Sequence, residues 1–168
     1  QEEIVEDCYR FMRQRIEFDD ALPLLYFCRH IGYNTNEESL MNFIESNFVP
    51  ISCTSEFLDL SFDDLKKMID KSSLHVDNEK QVFVAVDRWM ENDENRRTFG
   101  PRLLELIRCN FLSSAYLSQT VVMKKWIHES PRCMDVINEA LGIGKNSMIS
   151  LNKTRRNSSV HNLILVTS

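Results

Sequence analysis

The side chains best suited to chemistry in this sequence are four histidines, His30, His75, His128 and His161, and five cysteines, Cys8, Cys28, Cys53, Cys109 and Cys133. A metal site needs several such groups converging at ligand spacing. The closest pair is Cys28-x-His30, and residues two apart on a helix point about 200° away from each other, so this pair does not close on one ion. The five cysteines form no C-x-x-C pair, and most sit among apolar residues at helical spacing. They read as reduced core thiols of an intracellular protein. Nothing in the spacing selects one of the five as a nucleophile with a histidine base.

The acid pairs Asp19-Asp20, Glu37-Glu38 and Asp63-Asp64 stand at the starts of helical patterns. There carboxylates complement the positive end of a helix, which explains them better than acid/base catalysis does. The sequence has no G-x-S-x-G, no glycine-rich phosphate loop and no H-E-x-x-H. No catalytic residue, cofactor or metal is expected. Arg155-Arg156-Asn157-Ser158 is the basic-x-Ser pattern that basophilic kinases accept, which makes Ser158 a candidate phosphorylation site.

The elements that carry these residues are helical. Ile4, Val5, Cys8, Phe11, Met12 and Ile16 make an amphipathic stripe over about residues 2 to 16. A second helix is expected from Asp19 or Asp20; with Asp20 as N-cap, Pro23 falls in the first turn, where its missing amide is not needed. That segment, ALPLLYFCRHIG, has almost no polar face, so it must be covered on more than one side. Gly32 ends it. Leu40, Met41, Phe43, Ile44 and Phe48 mark a third helix, and short helices follow around SEFLDL and after Ser61, with Leu65, Met68 and Ile69 turned inward.

The most regular stripe is Val82, Phe83, Val86, Trp89 and Met90, opened by Asp77 as cap, with its charged residues read as the solvent side. Gly100-Pro101 opens a helix bearing Leu103, Leu104 and Ile107, Ser113 starts another through Tyr116 and Leu117, and Ser130-Pro131 begins one that stops at Gly142. Short helices joined by short loops predict an all-α fold, an antiparallel stack of helical hairpins. Beyond Gly144 the sequence turns polar and aperiodic, a linker over 145–160. It ends in Leu163-Ile164-Leu165-Val166, a lone β-strand within 161–168.

Charge limits the partners. The chain has 25 acids and 20 bases, and four of those bases, Lys145, Lys153, Arg155 and Arg156, lie after residue 144 with no acid among them. The helical body is therefore strongly acidic and unsuited to a phosphate backbone, so no nucleic-acid partner is expected. No run approaches the roughly 20 apolar residues of a membrane span, and the start QEEIVEDC has no signal-peptide layout. Without an initial Met, the sequence reads as a piece of something longer.

The run EFLDLSFDDLKKMIDKSSLHVDNEKQVFVAVDRWMENDENRR, then LLELIRCNFLSSAYL, then KKWIHESPRCMDVINEAL, resembles the BACK domain of BTB–Kelch proteins. Family blocks are matched by Phe57, Leu58, Leu60, Leu65, Met68 and Ile69, by Val82 to Trp89, and by Ile107, Arg108, Leu112, Ser113, Tyr116 and Leu117. Asn110 departs from the proline common in the family. The resemblance implies that 1–17 is the last helix of a BTB domain, 18–49 a two-helix 3-box, 50–144 the BACK helices and 161–168 the first strand of a Kelch propeller.

It further implies a non-catalytic substrate adaptor of a cullin-3 RING ubiquitin ligase, in the cytoplasm or nucleus. Cullin-3 would be held by the BTB domain and 3-box, the substrate by the propeller, and a second copy through the BTB domain. The alternative is a BTB–Kelch scaffold or cytoskeletal assembly factor with no ligase role. On this reading Leu22, Tyr26 and Tyr33 form the stripe of ALPLLYFCRHIG that lines the cullin groove, opposite Ala21, Leu24, Leu25, Cys28 and Ile31. Phe57, Leu58, Leu65, Val82, Phe83, Val86, Trp89, Leu104, Tyr116 and Leu117 form the core.

Overall fold

The computed structural model describes residues 16–32 and 37–143. The stripe over 2–16 (save Ile16), Tyr33, the linker 145–160 with Ser158 and the strand expected in 161–168 lie outside the described residues. Among those described, all regular structure is helical, and two compact units meet at the Asp59–Leu60 bond.

The first unit holds α1 (Phe18–His30), α2 (Glu37–Ser46), α3 (Phe48–Ser52) and a 3-10 turn, Glu56–Asp59. α1 packs against α2, α3 and the 3-10 turn. α1 starts one or two residues earlier than its acids suggest, so Pro23 sits well inside the helix. An interior proline removes one backbone donor and crowds the preceding turn. Asp19 and Asp20 occupy the first turn and Arg29 and His30 the last, each complementing the local end of the helix dipole. Termination follows from Gly32, whose φ of 70° admits the left-handed conformation that other residues resist. Phe57 is buried edge-on against Phe48, with centroids 6.0 Å apart. Leu58, expected in the core, is only half-buried, because a single 3-10 turn directs successive side chains about 120° apart and Phe57 takes the inward place.

The second unit contains α4 (Phe62–Asp70), α5 (Glu79–Glu91), a 3-10 segment Glu94–Phe99, α6 (Gly100–Leu104), a 3-10 turn Cys109–Phe111 and α7 (Ser114–Tyr116). A π-helical turn Leu117–Val121, α8 (Lys125–His128) and α9 (Pro131–Ala140) complete it. Three of its helices begin at a serine cap. Ser61 Oγ accepts from Asp64 N at 3.1 Å, Ser113 Oγ from Tyr116 N at 3.2 Å and Ser130 Oγ from Cys133 N at 3.3 Å. Each satisfies an amide the helix itself leaves unpaired. Asp77 is not the cap of α5. Asn78 holds that position without a side-chain bond, while Asp77 N donates to Gln81 Oε1 (2.8 Å) and Gln81 Nε2 donates back to Asp77 Oδ2 (3.3 Å). This closes the turn from one residue further out, in the reciprocal manner of a capping box.

The core of this unit is organised around α5. Leu65, Val82, Phe83, Val86, Trp89, Leu104 and Leu117 are buried, whereas Tyr116 is half-buried with its ring edge-on to Phe83 and Lys80 Nζ 4.8 Å from its centroid. The ring thus pays for its partial exposure with an aromatic contact on one side and a cation on the other. Trp89 Nε1 donates to Leu60 O at 2.9 Å, and the Arg96 guanidinium lies 4.1 Å from the Trp89 ring while its Nη1 donates to Trp89 O at 2.8 Å.

The charges of α5 are not all on a solvent side, contrary to the sequence reading. Asp87 and Glu79 are both buried. Asp87 Oδ1 accepts from Trp126 Nε1 at 2.8 Å and Oδ2 pairs with Lys124 Nζ at 2.5 Å; Glu79 Oε1 accepts from the backbone N–H of Arg108 at 2.9 Å. Each carboxylate meets its hydrogen-bond donor in the interior from 29 or 39 residues away in sequence, as a buried polar group requires.

Candidate functional site

An apolar strip on α1 combines residue types and exposure that are unusual for a helix surface. Ala21, Leu22, Leu25 and Cys28 face inward at a spacing of three to four, which sets the opposite flank outward. That flank carries Tyr26 (37% exposed), Phe27 (54%) and Ile31 (48%), with exposed Pro23 and His30 beside them. Phe18 is also exposed but stacks on Phe43 with centroids 6.4 Å apart. At the C-terminal end Arg29 Nε donates to Glu37 Oε1 at 2.8 Å, tying α1 to α2 and holding the strip's far end in place.

Leu22 is 1% exposed, so it belongs to the inward face and offers nothing to a partner. The stripe of Leu22, Tyr26 and Tyr33 is therefore corrected at its first member, and its third lies outside the described residues. Ile31, assigned from sequence to the inner stripe, stands outward, and Leu24 is only half-buried. Phe27, the most exposed aromatic of α1, was not singled out. In a helix apolar on all sides, periodicity gives no means of choosing which flank is covered.

Two open clefts flank other surfaces. One, of about 340 Å³, is lined by Ile16, Leu40, Phe43 and the polar side chains of α2 and Asn47; the other, of about 280 Å³, by Met90, Glu91, Glu94, Arg97, Lys125 and Trp126. The charges of the second pair with one another: Arg97 with Glu94 (2.6 Å) and Glu129 (3.1 Å), and Lys125 with Glu94 (3.9 Å). Among the described residues no group of three or more His, Cys, Asp or Glu is placed to hold a metal ion, and no helix is long and apolar enough to cross a membrane.

Four cysteines are described, and no two of them form a disulfide; Cys28, Cys109 and Cys133 are buried, but Cys53 is exposed, contrary to its expected place in the core. It follows α3 as that short helix ends, where the chain turns outward. Burial pushes the thiols of Cys28 and Cys133 above their ordinary value, which leaves less thiolate at neutral pH. Iodoacetamide at neutral pH is therefore expected to modify Cys53 well before Cys28, Cys109 or Cys133 in native protein, read by peptide mass spectrometry. Equal rates at all four would contradict the burial pattern.

An apolar strip on the first helix of one unit, and in the other serine-capped short helices around a buried tryptophan, define an all-α domain of the BACK type. The sequence profile of the family described as BACK, "BTB And C-terminal Kelch", matches residues 21–122, more than half of the chain, and the chain belongs to that family. Kelch-like protein 28 of Mus musculus is 25% identical over 139 residues, covering 82% of this chain and 24% of that protein. Kelch-like protein 7 of Homo sapiens is 26% identical over 137 residues (81% and 23%), and Kelch-like ECH-associated protein 1B of Danio rerio 26% over 147 residues (87% and 25%). The chain spans about a quarter of the length of the curated relatives it matches.

Proposed function

We propose that this chain is the helical spacer of a substrate-adaptor subunit of a cullin-3 RING ubiquitin ligase, and that the exposed flank of α1 is its part of the cullin-binding groove. The observation that carries the reading is the outward strip of Tyr26, Phe27 and Ile31, sited at the start of the segment that matches the BACK family. Aromatic and branched aliphatic side chains of this kind, spaced along one helix, suit an extended apolar segment of a partner. The chain performs no bond chemistry in this scheme. Its contribution is proximity: stiff helices fix the distance between the cullin-bound end and the substrate-bound end, which raises the effective concentration of a substrate lysine at the charged ubiquitin carrier. A BTB domain would supply dimerisation and further cullin contact, a Kelch propeller would hold the substrate, and the work would be done in the cytoplasm or nucleus.

The test is co-purification of the full-length protein with cullin-3. Tyr26→Asp together with Phe27→Asp is expected to weaken cullin-3 binding at least about tenfold, equivalent to about 1.4 kcal/mol, with the melting temperature little changed because both side chains are exposed. Leu22→Ala, by contrast, removes a buried side chain and lowers stability instead. Undiminished binding by the double variant would reject the groove assignment, and full-length protein that never retains cullin-3 would favour a scaffold without ligase role.

A further inference from the structure

Arg108 sits between α6 and the Cys109–Phe111 turn and is 5% exposed. The Glu79 carboxylate accepts from its backbone N–H. Of the guanidinium, Nη2 donates to Ser72 Oγ at 3.1 Å, while Nε and Nη1 have no hydrogen-bond acceptor among the described residues. A guanidinium is always charged and presents five donors in a rigid fork. Burying it short of acceptors is unfavourable, so the position calls for an anion.

Ser72 is the group through which that charge meets the surface. It is exposed, in the loop that links α4 to α5, next to exposed Lys71. Its Oγ already accepts from Arg108, so its own hydrogen is not needed to hold the contact. Leu74 and Val76, further along the same loop, are buried and fix its path.

We propose that Ser72 is a phosphorylation site whose phosphate is received by Arg108. In the transfer, Ser72 Oγ attacks the γ-phosphorus of a nucleoside triphosphate held by a protein kinase. The new Oγ–P bond forms as the bond to the β,γ-bridging oxygen breaks, the nucleoside diphosphate leaves, and the hydroxyl proton passes to the kinase's base. The product puts about two negative charges and three acceptor oxygens beside a guanidinium with unused donors. Rotation about the last torsions of Arg108 brings a second N–H onto the group, and the loop after α4 becomes tied to the corner after α6, 36 residues on.

The experiment uses the full-length chain with phosphoserine installed at residue 72 during translation, and a second chain with phosphoserine at 73 as control. Phosphorus NMR over pH should show the second ionisation at residue 72 at least about one unit below its ordinary value near 6, because a neighbouring cation favours the dianion. Residue 73 should titrate near the ordinary value, and Arg108→Gln should return residue 72 to it. If that variant does not fold, urea-unfolded phospho-72 chain provides the same reference. Equal titration of the two native phosphoserines overturns the proposal. So does inorganic phosphate at millimolar concentration shifting the Arg108 Nε–H resonance of unmodified protein, which would mark a free-anion site. Mass spectra of protein isolated from cells should show phosphate on Ser72, and its consistent absence there overturns the assignment as well.

Discussion

Trp89→Ala is expected to cost about 3 to 5 kcal/mol, the range typical of truncating a buried aromatic residue, and to lower the melting temperature by about 10 °C. The ring is 2% exposed, its N–H is bonded to Leu60 O, and Arg96 covers one face. Removing it leaves a cavity, an unpaired carbonyl and a guanidinium without its platform. Trp89→Phe separates these contributions. It keeps most of the packing and loses the hydrogen bond, so its cost should be about 1 to 3 kcal/mol, the penalty for a buried acceptor left unsatisfied. Thermal and urea denaturation followed by circular dichroism measure both. An alanine variant melting within a degree or two of the parent would mean that Trp89 does not centre the core.

Asp87→Ala should be the next most damaging change, at about 2 to 4 kcal/mol, since it strands a buried indole N–H and removes the counter-charge of Lys124. The Lys124 side chain is 30% exposed, so water screens part of that loss. Asp87→Asn retains an acceptor for Trp126 and discards only the charge, and is expected to cost about 1 kcal/mol. Equal costs for the two would place the energy in the ion pair and not in the indole bond.

The same pair sets an alkaline limit. The hydrogen bond that Lys124 donates to Asp87 raises the Lys124 pKa above its ordinary 10.5, against the opposing effect of burial. A group whose folded pKa is raised stabilises fully below its unfolded value and loses that contribution as pH climbs through the folded one. The parent should therefore lose stability above about pH 10.5 by more than Lys124→Met does. Cys28 and Cys133, also raised chiefly by burial, push the same way in both proteins and cancel in the difference. Tyr116, raised by burial and Asp87 but held down by the Lys124 charge, does not, so the comparison is made in a Tyr116→Phe background.

Local signals in the sequence carried a long way. Ser61, Ser113 and Ser130 cap the helices they precede, Gly32 and Gly142 adopt the positive φ that ends a helix, and the stripe from Val82 to Met90 is the buried face of α5. These features depend on a residue and its neighbours within one or two turns, which is the range over which a sequence pattern has meaning. What failed depends on distant partners. Nothing near Asp87 or Glu79 announces that Trp126 or the amide of Arg108 will take them into the interior. On α1, the sequence shows that every flank is apolar but not which one the rest of the unit covers, so Leu22 and Ile31 exchanged places. Cys53 was misplaced because its neighbours, and not its own environment, were read as core.

The two tryptophans of the chain, Trp89 and Trp126, both belong to the second unit and both are buried, yet one indole N–H meets a neutral backbone carbonyl and the other a carboxylate. Their light emission is consequently a built-in optical gauge of that unit: blue-shifted while the interior stays dry, red-shifted when solvent enters. Because Arg96 overlies only the Trp89 ring, the two chromophores differ in their electrostatic surroundings. Single Trp→Phe substitutions then allow the loosening of each neighbourhood to be timed without attaching a dye.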